Sequence, residues 1–511
     1  GQRHDVVYLG SAGNTLLVSG LEILVGGSGN DAVTLGDGGN TVLLRGIETL
    51  TGNGGTDLLL LGDTGNTATV SLFETILGGT GIDTILLGNA GSTLAVSGVE
   101  TLSGGAGLDV VTLGSGGSTL ATVAVETLLG GSGLDVVTLG TGGTTVRIAG
   151  IESVTGNSGR DVVQLSDGGG TFVVNLLETL VGSSGSDVAV VGELGGGSTL
   201  LIAGLEILVG NSGSDIVTLS DGGNTTLLRM LETLVGGSGV DAITIGNRGS
   251  TMTASNLETL VGGFALDIIA LGSGGNTLLV SQLETLTGGS GVDIVTLATA
   301  GFDSAADMNR VSGTAGNTLL VSGLETLIGS SGTDVVYLGS AGNTLLVSGL
   351  EILVGGSGND AVTLGDGGNT VLLRGIETLT GNGGTDLLLL GDTGNTATVS
   401  LFETILGGTG IDTILLGNAG STLAVSGVET LSGGAGLDVV TLGSGGSTLA
   451  TVAVETLLGG SGLDVVTLGT GGTTVRIAGI ESVTGNSGRD VVQLSDGGGT
   501  SSSTCWRRWS A

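Results

Sequence analysis

The chain has 511 residues, including 109 glycines and no proline, and its formal net charge is −35. A charge of this sign argues against nucleic acid or an anionic membrane surface as a partner, and it favours cations. Hydrophobic residues make up 39% of the chain, which is too apolar for a disordered protein, and aromatic residues make up only 2%, which excludes a core of large rings.

One unit of 26 residues is repeated along almost the whole chain. It reads DAVTLGDGGNTVLLRGIETLTGNGGT at 31–56, and a glutamate precedes each repeat's aspartate by nine residues, as Glu22 precedes Asp31. After the aspartate, apolar residues occupy alternate positions, such as Val33 and Leu35, which is typical of a strand with one buried face. A period of this length predicts one structural unit stacked many times.

Three short strands are predicted in each repeat. The first follows the aspartate, the second follows the next glycine-rich turn, as at 145–149, and the third surrounds the glutamate, as at 47–50. The apolar positions of the third segment are three residues apart, so we expect a bend or bulge beside the glutamate. Frequent glycine and the lack of a helical apolar stripe argue against helices. The predicted fold is all-β, a parallel β-solenoid of the β-helix or β-roll kind, with about eighteen 26-residue coils of three strands each.

Two extra residues near 192–197, a longer insertion and one tail interrupt the predicted solenoid. Repeats cover 1–297, an insertion follows at 298–312, and repeats resume at 313–500, of which 334–500 are identical to 5–171. We expect the insertion to be a loop that leaves one corner while the stack continues, with a hinge as the alternative. Residues 501–511 fit no part of the pattern. No apolar run approaches the roughly 20 residues of a membrane-spanning helix, so we predict no membrane insertion.

The glycine turn before each aspartate carries the most specific motif. The segments GGSGNDAVT at 26–34, GGSGLDVVT at 130–138 and GGSGVDAIT at 236–244 resemble the RTX nonapeptide, the haemolysin-type calcium-binding repeat. In that family the glycine turn supplies backbone carbonyl oxygens, the aspartate supplies its carboxylate, and the ions lie between neighbouring coils. Here 17 other residues separate successive nonapeptides, whereas the family packs them back to back.

The resemblance implies Ca²⁺ as the cofactor. The implied ligands are the backbone of Gly26, Gly27, Gly29, Gly130, Gly131, Gly133, Gly236, Gly237 and Gly239, and the carboxylates of Asp31, Asp57, Asp83, Asp109, Asp135, Asp161, Asp187, Asp215, Asp241, Asp293, Asp334, Asp360, Asp386, Asp412, Asp438, Asp464 and Asp490. Asp5 and Asp267 follow turns that depart from the motif, so we do not expect them to bind well.

Stacked coils would place these carboxylates in acidic ladders. Unit charges at strand spacing repel by roughly 0.9 kcal/mol per pair even in bulk water, and a divalent ion between coils would relieve that repulsion. The alternative is that each aspartate caps its turn by accepting backbone N–H groups. The glutamates are either hydrogen-bonded bend residues or a second row of cation ligands.

The inventory of reactive side chains is poor. His4 is the only histidine, Cys505 is the only cysteine, and the chain has no lysine. A histidine-based triad, a zinc cluster or a Schiff-base lysine cannot be assembled from this set. We therefore predict no catalytic residues and no enzymatic activity.

The predicted function is a calcium-binding repeat region of a large secreted or surface bacterial protein, which by family resemblance would fold on binding calcium after export. One alternative is a metal-independent structural spacer or adhesin stalk. A minor alternative is a surface that orders water or ice through threonine ladders such as Thr49, Thr75 and Thr101. A cell-surface or matrix partner and end-to-end self-association are also expected.

Overall fold

The computed structural model describes residues 5–166, 168–192, 197–298, 317–330 and 333–495, and the backbone of 502–504. The chain divides into two compact units, Gly1–Gly246 and Asn247–Ala511. The predicted insertion at 298–312 lies outside the described residues except for Ala298, and so does the tail except for 502–504.

Both units consist of short β-strands, numbered here in chain order. Strands β1 to β28 of the first unit are Val6–Tyr8, Thr15–Val18, Ile23–Val25, Ala32–Leu35, Thr41–Arg45, Thr49–Thr51, Leu58–Leu61, Thr67–Ser71, Thr75–Leu77, Thr84–Leu87, Thr93–Ser97, Thr101–Ser103, Val110–Leu113, Thr119–Val123, Thr127–Leu129, Val136–Leu139, Thr145–Ala149, Ser153–Thr155, Val162–Leu165, Gly170–Asn175, Thr179–Val181, Asp187–Val191, Thr199–Ala203, Ile207–Val209, Ile216–Leu219, Thr225–Arg229, Thr233–Val235 and Ala242–Ile245. Strands β29 to β56 of the second unit are Ser250–Ser255, Thr259–Val261, Asp267–Leu271, Thr277–Ser281, Thr285–Thr287, Ile294–Leu297, Thr318–Ser322, Thr326–Ile328, Val335–Leu338, Thr344–Ser348, Ile352–Val354, Ala361–Leu364, Thr370–Arg374, Thr378–Thr380, Leu387–Leu390, Thr396–Ser400, Thr404–Leu406, Thr413–Leu416, Thr422–Ser426, Thr430–Ser432, Val439–Leu442, Thr448–Val452, Thr456–Leu458, Val465–Leu468, Thr474–Ala478, Ser482–Thr484, Val491–Leu494 and Ser502–Thr504.

Successive strands alternate between two parallel sheets in each unit. Odd-numbered strands pair with odd-numbered strands and even-numbered with even-numbered, as β2 pairs with β4 and β4 with β6. Alternate side chains point inward, so Val33 and Leu35 of β4 are buried while Thr34 is partly exposed. The predicted period-two pattern therefore forms the core, in which leucines such as Leu24 and Leu50 are completely buried.

The predicted fold class, an all-β parallel β-solenoid, is confirmed, but the predicted coil is wrong. The strands make about 27 turns rather than eighteen, with two strands in each turn instead of three. One 26-residue repeat therefore makes one and a half turns. As a result, the same segment of successive repeats lies in opposite sheets: Ala32–Leu35 belongs to one sheet and Leu58–Leu61 to the other. A sequence period shows how often a unit recurs, but it does not show how many strands close one turn.

The bend expected beside the glutamate is a left-handed residue. Two positions before each glutamate φ is positive, with values of 62° at Gly46, 57° at Leu72 and 51° at Ala124. Glycine adopts this conformation freely, whereas a residue with a side chain loses roughly 1–2 kcal/mol there. The corner is thus specified by fold geometry even where the repeat has lost its glycine.

The glycines of the turn before the aspartate serve close packing between coils. A Cβ atom on Gly26 would lie 1.6 Å from the carbonyl oxygen of Gly46, and one on Gly29 would lie 2.2 Å from the amide nitrogen of Gly13. No side chain fits at such distances. These glycines therefore let the backbones of adjacent coils touch.

The stacking pattern is the same on both sides of the insertion. Strand β33 pairs with β35, and the backbone N–H of Asp293 donates to Glu325 Oε2 at 2.8 Å, as in the uninterrupted repeats. In the part of the chain that the structure describes there is no helix that could cross a membrane.

Candidate functional site

The candidate site is a column of residues that stand just before the strands of one sheet. Asn14, Asp31 and Glu48 precede β2, β4 and β6, so they occupy the same corner of three consecutive turns. We call this order of residues the amide–Asp–Glu column. Each sheet has one such column in each unit.

The aspartate of the column is held by hydrogen bonds from two coils. Asp31 Oδ1 accepts the backbone N–H of Asn14 at 2.9 Å and its Nδ2–H at 2.7 Å. Asp31 Oδ2 accepts the backbone N–H of Gly27, in its own turn, at 2.9 Å. The carboxylate is therefore an acceptor for three N–H groups.

The glutamate completes the link to the next coil. The backbone N–H of Asp31 donates to Glu48 Oε2 at 2.8 Å, and the backbone N–H of Thr49 donates to the carbonyl oxygen of Asp31 at 3.0 Å. The glutamate is thus a hydrogen-bonded corner residue, which was one of the two interpretations of its repeated position.

The same contacts recur along the described chain. The residue 17 positions before the aspartate donates its backbone N–H to Oδ1, and it is asparagine, serine or threonine in every such bond, for example at Asn40, Ser118 and Thr144. The glutamate 17 positions after the aspartate accepts its N–H in most repeats, as Glu100 does from Asp83. The predicted ligands Asp57, Asp83, Asp109, Asp135, Asp161, Asp215, Asp241, Asp293, Asp334, Asp360, Asp386, Asp412, Asp438, Asp464 and Asp490 all accept this N–H on Oδ1.

This register replaces the expected acidic ladder with a mixed column. Successive aspartates of one column, such as Asp31 and Asp83, are two repeats and three turns apart, which is roughly 14 Å at strand spacing. At that distance their repulsion in bulk water falls to about 0.3 kcal/mol. A neutral amide or hydroxyl residue and a glutamate lie between them.

Burial and the amide residue act in opposite directions on these carboxylates. The Asn14 side chain, through its hydrogen bond, holds the pKa of Asp31 below its ordinary value despite burial. At Asp267 the residue 17 positions earlier is Ser250, whose backbone N–H donates to Oδ1 at 2.9 Å. There burial raises the pKa of Asp267, and the charge of Glu284 acts in the same direction. The asparagine side chain therefore favours the ionised aspartate.

Three aspartates depart from the shared geometry. Oδ2 of Asp57 and of its identical copy Asp386 is buried without a hydrogen-bond partner, and so is Oδ1 of Asp187. In the first two, the residue four positions before the aspartate is an asparagine with a φ of 83° or 89°, Asn53 or Asn382, in place of glycine. At Asp187 the residue 17 positions earlier is Gly170, whose backbone N–H donates to the carbonyl oxygen of Ser186 at 3.2 Å instead of to the carboxylate.

The arrangement does not fit calcium as it stands. Calcium takes about six to eight oxygen ligands, and the aspartate oxygens of the columns already face N–H donors. Within the described residues, no three histidine, cysteine or acidic side chains are grouped in a way that could hold a metal ion. Calcium binding by these aspartates stays a prediction.

The glycine positions of the motif have a visible role of their own. The backbone N–H groups of Gly27, Gly131 and Gly237 donate to Oδ2 of Asp31, Asp135 and Asp241 at 2.8–2.9 Å. The turn thus presents amide hydrogens to the aspartate. The turn was predicted from the sequence, and the asparagines at 40, 66 and 224 were expected to form a hydrogen-bonded ladder on it, but their pairing with the aspartate 17 positions later was not predicted. The constant 17-residue spacing was a signal that could have revealed it.

Comparisons of the chain with protein-family models, with curated proteins and with solved structures found no match.

Proposed function

We propose that this chain is a structural repeat region, a spacer or stalk of a secreted or surface protein, whose fold is maintained by amide-capped aspartates without a metal ion. The observation that supports this proposal is the set of hydrogen bonds at each aspartate. Both carboxylate oxygens of Asp135, for example, are acceptors, Oδ1 for the N–H of Ser118 at 2.7 Å and Oδ2 for that of Gly131 at 2.8 Å.

These hydrogen bonds stabilise the charged aspartates, which is the role that the calcium hypothesis assigns to an ion. Backbone N–H groups that donate to a carboxylate stabilise its charged form, and each hydrogen bond to a charged group contributes about 1.5–3 kcal/mol. Where one donor comes from the preceding coil and one from the aspartate's own turn, as at Asp135, the carboxylate joins two coils. A calcium ion at this position would have to replace those donors.

A stalk also agrees with the lack of reactive groups. The columns use the acidic residues uniformly, and the described surface contains no group of metal-ligating side chains. The repeated architecture provides length and mechanical continuity within each unit through parallel backbone pairing. These features support a structural role over a catalytic one.

Calcium-dependent folding remains the competing hypothesis because the turn resembles the RTX nonapeptide. The two hypotheses differ in a simple experiment on the purified chain. We expect the far-UV circular dichroism spectrum and the melting temperature to be the same in EDTA and in millimolar calcium, with magnesium as the control cation. A chain that is unfolded in EDTA and acquires β-structure only with calcium would refute the structural proposal.

A substitution in the amide–Asp–Glu column further distinguishes the structural hypothesis from the calcium hypothesis. Asp135→Asn is made together with Asp464→Asn at its identical copy. The change removes the charged acceptor of the backbone N–H groups of Ser118 and Gly131 and, in the copy, of Ser447 and Gly460. If the aspartates are caps, the variant loses the same stability in EDTA and in calcium. If they are calcium ligands, the loss appears only when calcium is present.

A further inference from the structure

Asparagine replaces the second glycine in several turns of the motif, and one of these asparagines is held differently from the others. Asn157 and Asn211 donate their backbone N–H to Oδ2 of the aspartate four positions later, at 2.9 and 2.7 Å. Asn53 does not, and Oδ2 of Asp57 is buried without a partner. The φ of Asn53 is 83°, in the left-handed region, and that of its identical copy Asn382 is 89°.

The turn at 52–57 is therefore easier to open than the equivalent turns. A buried carboxylate oxygen without a hydrogen bond destabilises the closed turn, because water solvates that oxygen once the turn opens. Such openings involve only a small part of the chain. The side chain of Asn53 is already exposed, and its Nδ2–H donates to Asp37 Oδ1 at 2.6 Å.

The residue that follows Asn53 decides the chemistry of its side-chain amide. A succinimide ring forms when the backbone nitrogen of the next residue attacks Cγ of an asparagine, and a side chain on that next residue hinders the attack. Gly54 has no side chain, and glycine reaches conformations that other residues do not. Serine follows both Asn157 and Asn211, and Asn211 is only 6% exposed. In the whole sequence, glycine follows asparagine only at Asn53 and at its copy Asn382.

We propose that Asn53 and Asn382 are sites of spontaneous deamidation, and that the reaction loosens the coil to which each belongs. The backbone nitrogen of Gly54 loses its proton and forms a bond to Cγ of Asn53, the bond between Cγ and Nδ2 breaks, and Nδ2 leaves with that proton as ammonia. Water then opens the succinimide. Addition of water at Cγ gives aspartate, and addition at the backbone carbonyl carbon gives isoaspartate.

Both products disturb the contacts of this turn with the neighbouring coils. A Cβ atom on Gly52 would lie 2.0 Å from the carbonyl oxygen of Leu72, and one on Gly55 would lie 2.5 Å from the backbone nitrogen of Gly39. Isoaspartate lengthens the backbone by one methylene group between these two close contacts. Aspartate instead replaces the donor to Asp37 by a second carboxylate, which repels it.

Ageing the purified full chain at mildly alkaline pH tests the proposal, with Asn157 as the reference in the same sample, since its side chain is also exposed. Mass spectrometry of a digest measures the conversion of each asparagine, and electron-transfer fragmentation distinguishes isoaspartate from aspartate. Asn53 and its copy lie in identical stretches, so one signal reports on both. We expect their conversion to be at least tenfold faster than that of Asn157, and to accelerate with pH because the Gly54 nitrogen must lose its proton.

Hydrogen exchange on the aged chain measures the loosening. The N–H of Gly52 donates to the carbonyl oxygen of Ser71 at 2.8 Å, and the N–H of Gly156, in the turn of the reference asparagine, donates to that of Asn175 at 2.8 Å. Protection of the Gly52 N–H should fall as conversion proceeds, whereas protection of the Gly156 N–H should not change.

Gly54→Ala, made together with Gly383→Ala at its identical copy, is the matched variant. The nearest atom to the new Cβ would lie 3.8 Å away at position 54 and 3.6 Å away at position 383, and neither glycine is in the left-handed region, so the fold should be retained. The added methyl group hinders ring closure, so conversion of Asn53 should slow at least tenfold and Gly52 should stay protected on ageing. Equal conversion of Asn53 and Asn157, an unchanged rate in the double variant, or full protection of Gly52 after conversion would each overturn the proposal.

Discussion

Three buried threonines of the core allow a controlled test of the packing, because two of them have hydroxyl groups without a hydrogen-bond partner and the third has one with a partner. Thr122 is 1% exposed and its Oγ1 atom has no hydrogen-bond partner, as is also true of its identical copy Thr451. Thr226 is 3% exposed, but its Oγ1–H donates to the carbonyl oxygen of Leu205 at 2.8 Å. Replacement by valine removes an unsatisfied group at the first two positions and a satisfied one at the third.

The expected free-energy changes have opposite signs. A buried polar group without a partner destabilises by about 1–3 kcal/mol, so Thr122→Val and Thr451→Val should each stabilise their surroundings by about 1–2 kcal/mol. Thr226→Val leaves the Leu205 carbonyl without its donor and should destabilise by about 1–2 kcal/mol. The contrast between the two kinds of site is therefore roughly 2–4 kcal/mol.

Hydrogen exchange measured by mass spectrometry is the appropriate assay. Long repeat proteins need not unfold in one step, so local protection is more informative than a single melting temperature. Thr122 and Thr451 must be replaced together, because residues 5–171 and 334–500 are identical and their peptides have the same mass. The N–H of Gly140, which donates to the carbonyl oxygen of Thr122 at 2.8 Å, reports directly on this coil. Equal or lower protection in the double variant, with no loss in Thr226→Val, would refute the assignment of these hydroxyl groups.

Three further substitutions test the corner, the column and the turn. Leu72→Gly, made together with Leu401→Gly at its identical copy, should stabilise each coil by about 1 kcal/mol because φ is 57° at both positions. Urea unfolding followed by hydrogen exchange would measure the change, and a loss of protection would contradict the left-handed assignment. Ser250→Asn should lower the pKa of Asp267 by adding a side-chain donor, as read from the pH dependence of its carboxyl ¹³C shift. Burial raises the pKa of Asp267 in the folded state, so ionisation of Asp267 above that pKa opposes folding. The variant should therefore be more stable than the unsubstituted chain near neutral pH, with no such difference in acid. An unchanged titration of Asp267 would contradict this reasoning. Gly130→Ala should destabilise the chain by about 3 kcal/mol because its Cβ atom would lie 1.6 Å from a carbonyl oxygen. The control Gly116→Ala, whose Cβ atom would meet nothing within 4 Å, should have little effect on the melting temperature. Similar losses in both variants would show that contact between coils does not require glycine.

Much of the fold could be predicted from the sequence because strands and stacking follow from local patterns of residues. Alternating apolar residues such as Val33 and Leu35 indicate strands with one buried face, and the constant 26-residue period indicates stacking. The frequency of glycine and the lack of a helical apolar stripe argue against helices on the same local grounds. The bend beside Glu48 was also visible, since alternation fails at that point.

The tertiary structure alone decided which residues meet. The number of strands in a turn depends on how two sheets close around the core, and the two-strand turn brings Asn14, Asp31 and Glu48 to one corner although 17 residues separate each pair. Coils of one repeat each would have stacked aspartate on aspartate. The observed register instead gives most of the carboxylates amide donors from two coils. The constant 17-residue spacing is visible in the sequence, but which residues it brings together depends on the closure of the whole turn.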